Sequence, residues 1–145
     1  MEEPSDCVFC RLINGELEAS IVADDGRTLA FMDIQPLTPG HVLVVPRRHA
    51  ASLAELDPDD GAELFRVAQH VAVALRRSPL RCEGVNFLLA DGAAAGQDVF
   101  HTHLHVFPRF DGDGLALRTP ADSAERPRSE LDATASALRD AWRVG

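Results

Sequence analysis

The stretch His101-Thr102-His103-Leu104-His105-Val106-Phe107-Pro108-Arg109 constrains this chain more than any other. Histidines alternate with Thr and Leu, and the run continues apolar until Pro108 stops it. Period-two alternation is the pattern of a β-strand, whose successive side chains point to opposite faces. At about 3.3 Å per residue, His101, His103 and His105 share one face with neighbours about 6.6 Å apart. Thr102, Leu104 and Val106 then face the core. Three imidazoles in a row are expensive to bury and pack poorly, so the spacing points to chemistry. The options are nucleophilic or acid–base catalysis on a phosphate, or metal ligation by neighbouring imidazoles.

At 145 residues the chain is the size of one domain with a real core. A net charge of −9 argues against a nucleic-acid backbone as partner, because tracking phosphates needs a basic face. A single nucleotide needs only a local pocket and stays open. Met1-Glu2-Glu3-Pro4-Ser5-Asp6 is acidic and has no apolar core, unlike a signal peptide. No apolar run approaches the roughly 20 residues of a membrane span. The expectation is a soluble, cytoplasmic protein with no membrane partner. Cys7, Cys10 and Cys82 are an odd number of cysteines, which favours metal binding or thiols over a disulfide framework.

Along the chain, Cys7–Ile13 reads as a short helix stopped by Asn14-Gly15. Ile21–Ala23 and Thr28–Ile34 read as strands joined by the turn Asp24-Asp25-Gly26. After the Pro- and Gly-rich connector 35–40, His41–Pro46 is a β-branched run, hence a buried central strand. Asp57 is a helix N-cap, Pro58 suits the first helical position, and Asp59 and Asp60 suit the positive end of the dipole. Leu64, Val67, Ala68, Val71 and Leu75 recur at helical spacing up to Arg77, with His70 on the surface. Val85–Ala90 is the fourth strand, and Asp91–Gln97 is a small-residue loop where backbone can approach a ligand. Residues 110–129 read as a long surface loop. Leu131, Ala135, Leu138, Ala141 and Trp142 then predict an amphipathic C-terminal helix that docks on the domain or on a second subunit.

The His-x-His-x-His-x-x pattern of His101–Phe107 resembles the signature of the histidine triad family of nucleotide hydrolases and transferases. Phe31-Met32-Asp33-Ile34, Pro39–Pro46 followed by His49, and Gly96-Gln97 match that family in order, and Cys7-Val8-Phe9-Cys10 resembles its bacterial Hint-type branch. The resemblance covers roughly residues 7–110 and implies a single domain over 1–145, with 111–145 as loop and C-terminal helix. It implies an α+β fold with an antiparallel sheet of about five strands, a long helix, and pairing into a homodimer. It further implies a purine nucleotide substrate, carrying an AMP or GMP moiety, cleaved at the α-phosphate. His103 would be the nucleophile, its other ring nitrogen held by a backbone carbonyl, and would carry a nucleotidyl-histidine intermediate. His105 would hydrogen-bond phosphate oxygens, and His41 would stand beside the active site. Backbone N–H groups around Asp98 and Val99 would complete the phosphate cradle, with Gln97 in the same nucleotide-binding set. Asp33 would accept from the ribose hydroxyls, while Ile34 and Phe9 would line the base pocket.

Cys7 and Cys10 have a zinc-compatible spacing, and no βαβ setting follows to suggest a thioredoxin-like motif. The alternative is two partly buried thiols. The resemblance supplies His49 and His101 as further ligands of a closed, structural Cys₂His₂ zinc; Cys82 is inert. Ala90 stands where many relatives have asparagine, and Asp98 where a serine or threonine is common, which bears on substrate range. The leading expectation is a purine nucleoside phosphoramidase. The alternatives are a dinucleoside polyphosphate hydrolase or nucleotidyl transferase, a nucleotide-binding regulatory protein with low turnover, and a zinc hydrolase with all three triad histidines on one metal. The adjacent cysteines argue against the last.

Overall fold

The computed structural model describes residues 5–142. Met1–Pro4, part of the acidic start discussed above, lie outside the described residues. The element order is α1 (Val8–Ile13), β1 (Ile21–Asp24), β2 (Thr28–Met32), β3 (Val42–Pro46), α2 (Pro58–Arg77), β4 (Gly84–Leu89), β5 (Leu104–Arg109) and α3 (Arg128–Ala141). Ala93–Ala95 adds a 3₁₀ turn in the small-residue loop. The strands form one five-stranded sheet in the order β1-β2-β3-β5-β4, antiparallel at every pairing. The expected α+β class and five-stranded antiparallel sheet are both present.

The unbroken apolar run of β3 has its reason in the packing. Val42 and Val44 face Leu64, Val67, Ala68, Val71 and Leu75 of α2. Leu43 and Val45 face the other way, onto Cys7, Phe9 and Cys10 at α1. One helix thus covers each face of the central strands. Each fully buried Val or Leu contributes about 1.5–3 kcal/mol, so this strand anchors both halves of the core. Asp57 caps α2 as expected, accepting from the Asp59 N–H at 2.8 Å, with Pro58 in the first turn. Helix α1 has only six residues and its N-cap is the Cys7 sulfur, which accepts from the Cys10 N–H at 3.4 Å. Gly40 (φ +102°) leads into β3 with a backbone conformation that strains any L side chain, and a Cβ there would also press on Leu80 Cδ1 at 2.8 Å.

The histidine stretch departs from the expected strand. β5 begins only at Leu104, so His101 and His103 precede the ladder. The ladder with β3 ends at Val44–Leu104. Beyond it stands Pro46, which has no N–H to donate. Thr102 instead donates its N–H and its hydroxyl to the Ala50 carbonyl at 2.7 and 2.9 Å. The face assignment survives this change: Leu104 and Val106 join the α2 core, and His105 pairs with Leu43 on the α1 side.

Two compact units divide at Leu115 and Ala116. The first holds every element from α1 to β5, and the second holds α3. In α3 the apolar stripe exists as the periodicity predicts, with none of its residues buried. Among the described residues, no helix is long and apolar enough to cross a membrane.

Candidate active site and metal-ligand cluster

Around His103 the backbone decides the chemistry of the ring. Its Nδ1 lies 2.7 Å from the His101 carbonyl, which can only accept. The Nδ1 therefore carries the hydrogen, and Nε2 keeps a lone pair. The ring is buried, and its centroid stands 4.9 Å from that of His105.

A second chain of hydrogen bonds fixes His105 the opposite way. The Leu37 N–H donates to His41 Nδ1 at 3.0 Å, so a neutral His41 must carry its hydrogen on Nε2. That Nε2–H donates to His105 Nδ1 at 2.9 Å. A neutral His105 is left with a hydrogen on Nε2. Burial pushes the His105 pKa down to about 4, with repulsion from His103 and His41 adding to it, and burial also lowers that of His41. Both rings are neutral at pH 7. The His105 ring, with its hydrogen on Nε2, thus lies beside the His103 ring, whose Nδ1 faces a carbonyl.

Asp33 follows β2 with its Oδ2 3.6 Å from His41 Nε2 and its Oδ1 accepting from the Gln35 N–H at 2.8 Å. It lines an open cavity of about 600 Å³ with Glu18, Ala19, Ser20, Met32 and Ile34. Ile34, 94% exposed, is free to meet a base from that cavity. Phe9 turns inward instead, packing edge-on against Phe31, His101 and His103 with centroids 5.5, 5.9 and 5.1 Å away. Its observed place is beneath the histidines.

The loop before the triad also differs from expectation. Gln97 is buried: its Oε1 accepts from the Gly92 N–H, and its Nε2 donates to the Ala51 and Val99 carbonyls. Its side chain braces the loop, so any contact of Gln97 with a nucleotide falls to its backbone. The Val99 N–H, expected in the phosphate cradle, is taken by Asp98 Oδ1 at 2.9 Å. That same oxygen stands 3.8 Å from His103 Nε2, on a side chain 84% exposed.

The structure brings Cys7, Cys10, His49 and His101 together, with all four ligand atoms within 4.8 Å of one another. Zinc legs of about 2.3 Å to sulfur and 2.0–2.1 Å to nitrogen give tetrahedral edges of about 3.5 Å. His101 Nδ1 is 3.5 Å from each sulfur, and His49 Nδ1 is 3.3 Å from that of Cys10. The ring state also fits: His101 Nε2–H donates to the Pro46 carbonyl at 2.8 Å, which leaves Nδ1 with a lone pair toward the thiols. Burial pushes the His101 pKa down to about 4, keeping the ring neutral as a ligand must be. Asp33, His41 and His105 form a second group, of three, with ligand atoms also within 4.8 Å of one another. Its His41 Nε2 already carries the hydrogen that the Leu37 N–H dictates, so this group suits proton donation and does not suit a cation.

The sequence profile of the HIT domain matches residues 14–112. The chain belongs to the HIT family. An uncharacterised HIT-like protein of Borreliella burgdorferi is 45% identical over 114 residues, spanning 78% of this chain and 82% of its own. The crystal structure of a HIT family member from Bacillus subtilis superposes with a TM-score of 0.84 at 31% identity, covering 97% of this chain and 99% of that one. A zinc-bound histidine triad family protein from Mycobacterium smegmatis gives a TM-score of 0.75 at 38% identity, covering 97% of this chain and 100% of its own. HIT proteins bind nucleotides.

Glu18 and Ser20 line the cavity beside Asp33, and the Leu37 N–H holds His41, without having been singled out by the sequence. Glu18 and Ser20 sit between the first helix and the first strand, where no periodicity marks them. The Leu37 contribution is a backbone group and leaves no trace in residue type.

Proposed function

We propose that this HIT protein is a nucleotide hydrolase that cleaves purine nucleoside 5′-phosphoramidates at the α-phosphate. The observation that carries this reading is the pair of opposed tautomers, a lone pair on His103 Nε2 beside a hydrogen on His105 Nε2. His103 Nε2 attacks phosphorus, the phosphorus–nitrogen bond breaks, and the departing amine takes up a proton from solvent, which the water of the second step returns. Water then attacks the nucleotidyl-histidine, releasing the nucleoside monophosphate and restoring the ring. His105 donates to a phosphate oxygen throughout, where charge shifts in the transition state. Asp33 accepts from the ribose hydroxyls, and the cavity beside it holds the nucleoside. Asp98, a carboxylate near the nucleophile, favours a cationic amine over an anionic polyphosphate as leaving group.

Cys7, Cys10, His49 and His101 hold a structural zinc in this reading. The donor set and its edges support this, as does the zinc in the Mycobacterium smegmatis relative. Four protein ligands leave no open position, so the metal would stabilise the fold and leave the reaction to the histidines. Two copies pair through β4, the sheet edge, where Phe87 and Leu88 are exposed and Phe87 meets Phe65 of α2 at 5.7 Å.

Rapid quenching during turnover, followed by mass spectrometry, tests the central claim. Wild-type protein should carry a nucleotide mass on His103. His103→Ala should lose the adduct and turnover by several orders of magnitude while still binding AMP. A variant keeping more than about a tenth of wild-type kcat would overturn the covalent route.

A further inference from the structure

His101 is fully buried and serves four partners with three different atoms. Its Nδ1 faces the sulfurs of Cys7 and Cys10, its Nε2–H donates to the Pro46 carbonyl, and its own carbonyl holds the His103 Nδ1–H at 2.7 Å. The ligand atom and the oxygen that fixes the nucleophile's tautomer therefore belong to one residue.

A second route runs through α1. Phe9 lies between the two cysteines, and its ring edge meets both His101 and His103. Six residues are far below the roughly 12–15 at which an isolated helix becomes marginal in water. The position of α1 therefore rests on its buried contacts and on whatever holds Cys7 and Cys10. Both routes converge on His103. Neither passes through Asp33 or the cavity lined by Glu18 and Ile34.

We propose that the Cys7–Cys10–His49–His101 cluster is a positioning element for the reaction: metal held there fixes the ring of His103 through the His101 carbonyl and Phe9. Loss of the metal lets the His103 ring turn and exchange tautomers, which slows attack on phosphorus. Nucleotide affinity stays the same, because the nucleoside contacts lie elsewhere. This inference rests on reading His103 as the nucleophile and the cluster as a zinc site.

The test compares the full wild-type chain, as purified with zinc, with His49→Ala and His49→Cys. His49 is the ligand that lies on neither route; its ring meets His101 edge to face at 5.1 Å and its Nδ1 lies 3.3 Å from Cys10 Sγ, so His49→Cys separates loss of the metal from loss of the ring. The measurements are metal content, kcat and KM on an adenosine phosphoramidate, and the long-range ¹H–¹⁵N spectrum of the His103 ring, which reports the nitrogen that bears hydrogen. In His49→Ala the metal should be depleted and kcat lower by about 10–100-fold, the usual cost of losing an outer partner of a reacting group. KM should hold, and the spectrum should show the hydrogen shared between the two nitrogens.

His49→Cys offers a Cys₃His set and should restore metal, kcat and a single Nδ1–H tautomer. A metal-depleted His49→Ala with wild-type kcat and an unchanged ring spectrum would refute the coupling. So would His49→Cys that binds zinc without recovering turnover. Should His49→Ala not fold, stepwise chelation of the wild-type protein gives the same spectrum with the same two outcomes. A zinc-loaded wild type that turns over no phosphoramidate would remove the proposed activity, while the ring spectrum still decides whether the metal sets the tautomer.

Discussion

Replacing His41 with asparagine removes one of its two ring hydrogen bonds and keeps the other. The short amide still offers an oxygen to the Leu37 N–H, which His41 Nδ1 now accepts at 3.0 Å. It cannot reach His105 Nδ1, which His41 Nε2–H serves at 2.9 Å. His105 is then free to carry its hydrogen on either nitrogen, and in the Nδ1–H form it presents a lone pair to a phosphate oxygen. Removing a donor aimed at developing charge costs about 10²–10³ in kcat. His105 would keep the donor form part of the time, so the expected loss is about 10–100-fold. The lost hydrogen bond and the space left by a ring that is 1% exposed should together cost about 1–3 kcal/mol of stability. Such a buried ring does not touch the nucleotide, so KM should stay as it is. His41→Gln is the complement: its amide N–H reaches toward His105 and strands the Leu37 N–H. It should lose similar stability and recover most of kcat. Steady-state kinetics on an adenosine phosphoramidate with urea unfolding of both variants decides the matter. An asparagine variant with wild-type kcat, or a glutamine variant as slow as it, would refute the tautomer relay.

Three other outcomes follow from the same geometry. Cys10→Ala should lose its metal and melt at lower temperature, because metal binding contributes to folding stability; never-chelated protein without zinc would overturn this. Burial holds His105 near 4 and His41 below their ordinary 6.5, so the unfolded chain binds more protons than the folded one between those values. The stability from keeping these rings neutral is complete above pH 6.5 and is lost as pH falls toward 4; a urea midpoint constant across that window would contradict it. Asp98→Ser should lower the preference for a cationic-amine phosphoramidate over a diadenosine polyphosphate, measured as a kcat/KM ratio. An exposed charge is worth about 0.2–1 kcal/mol, so the change should be about two- to fivefold and should shrink at high salt. An unchanged ratio leaves Asp98 as a cap for the Val99 N–H.

The sequence alone determined the secondary elements and the family, because both are written in local pattern. The β-branched run at 42–46 could only be a strand covered on both faces, and Asp57-Pro58 could only open a helix. Cys7, Cys10, His49 and His101 were likewise legible as a set through the family resemblance, and the structure brings them together. Period two, however, extended the strand through His101 and His103, because alternation does not reveal where a ladder loses its partner. That depended on Pro46 in a different strand and on the Ala50 carbonyl. For Gln97 and Phe9, residue type does not say which way a side chain turns. Only the packed loop shows the Gln97 amide bound to backbone, and only α1 on its sheet face shows the Phe9 ring beneath His103. Tertiary structure also decided which nitrogen of each histidine carries the hydrogen. The three deciding groups are the carbonyls of His101 and Pro46 and the N–H of Leu37. Every residue but proline has both of these groups, so no sequence can mark them. What makes them decisive is the fold that aims each one at a single ring atom.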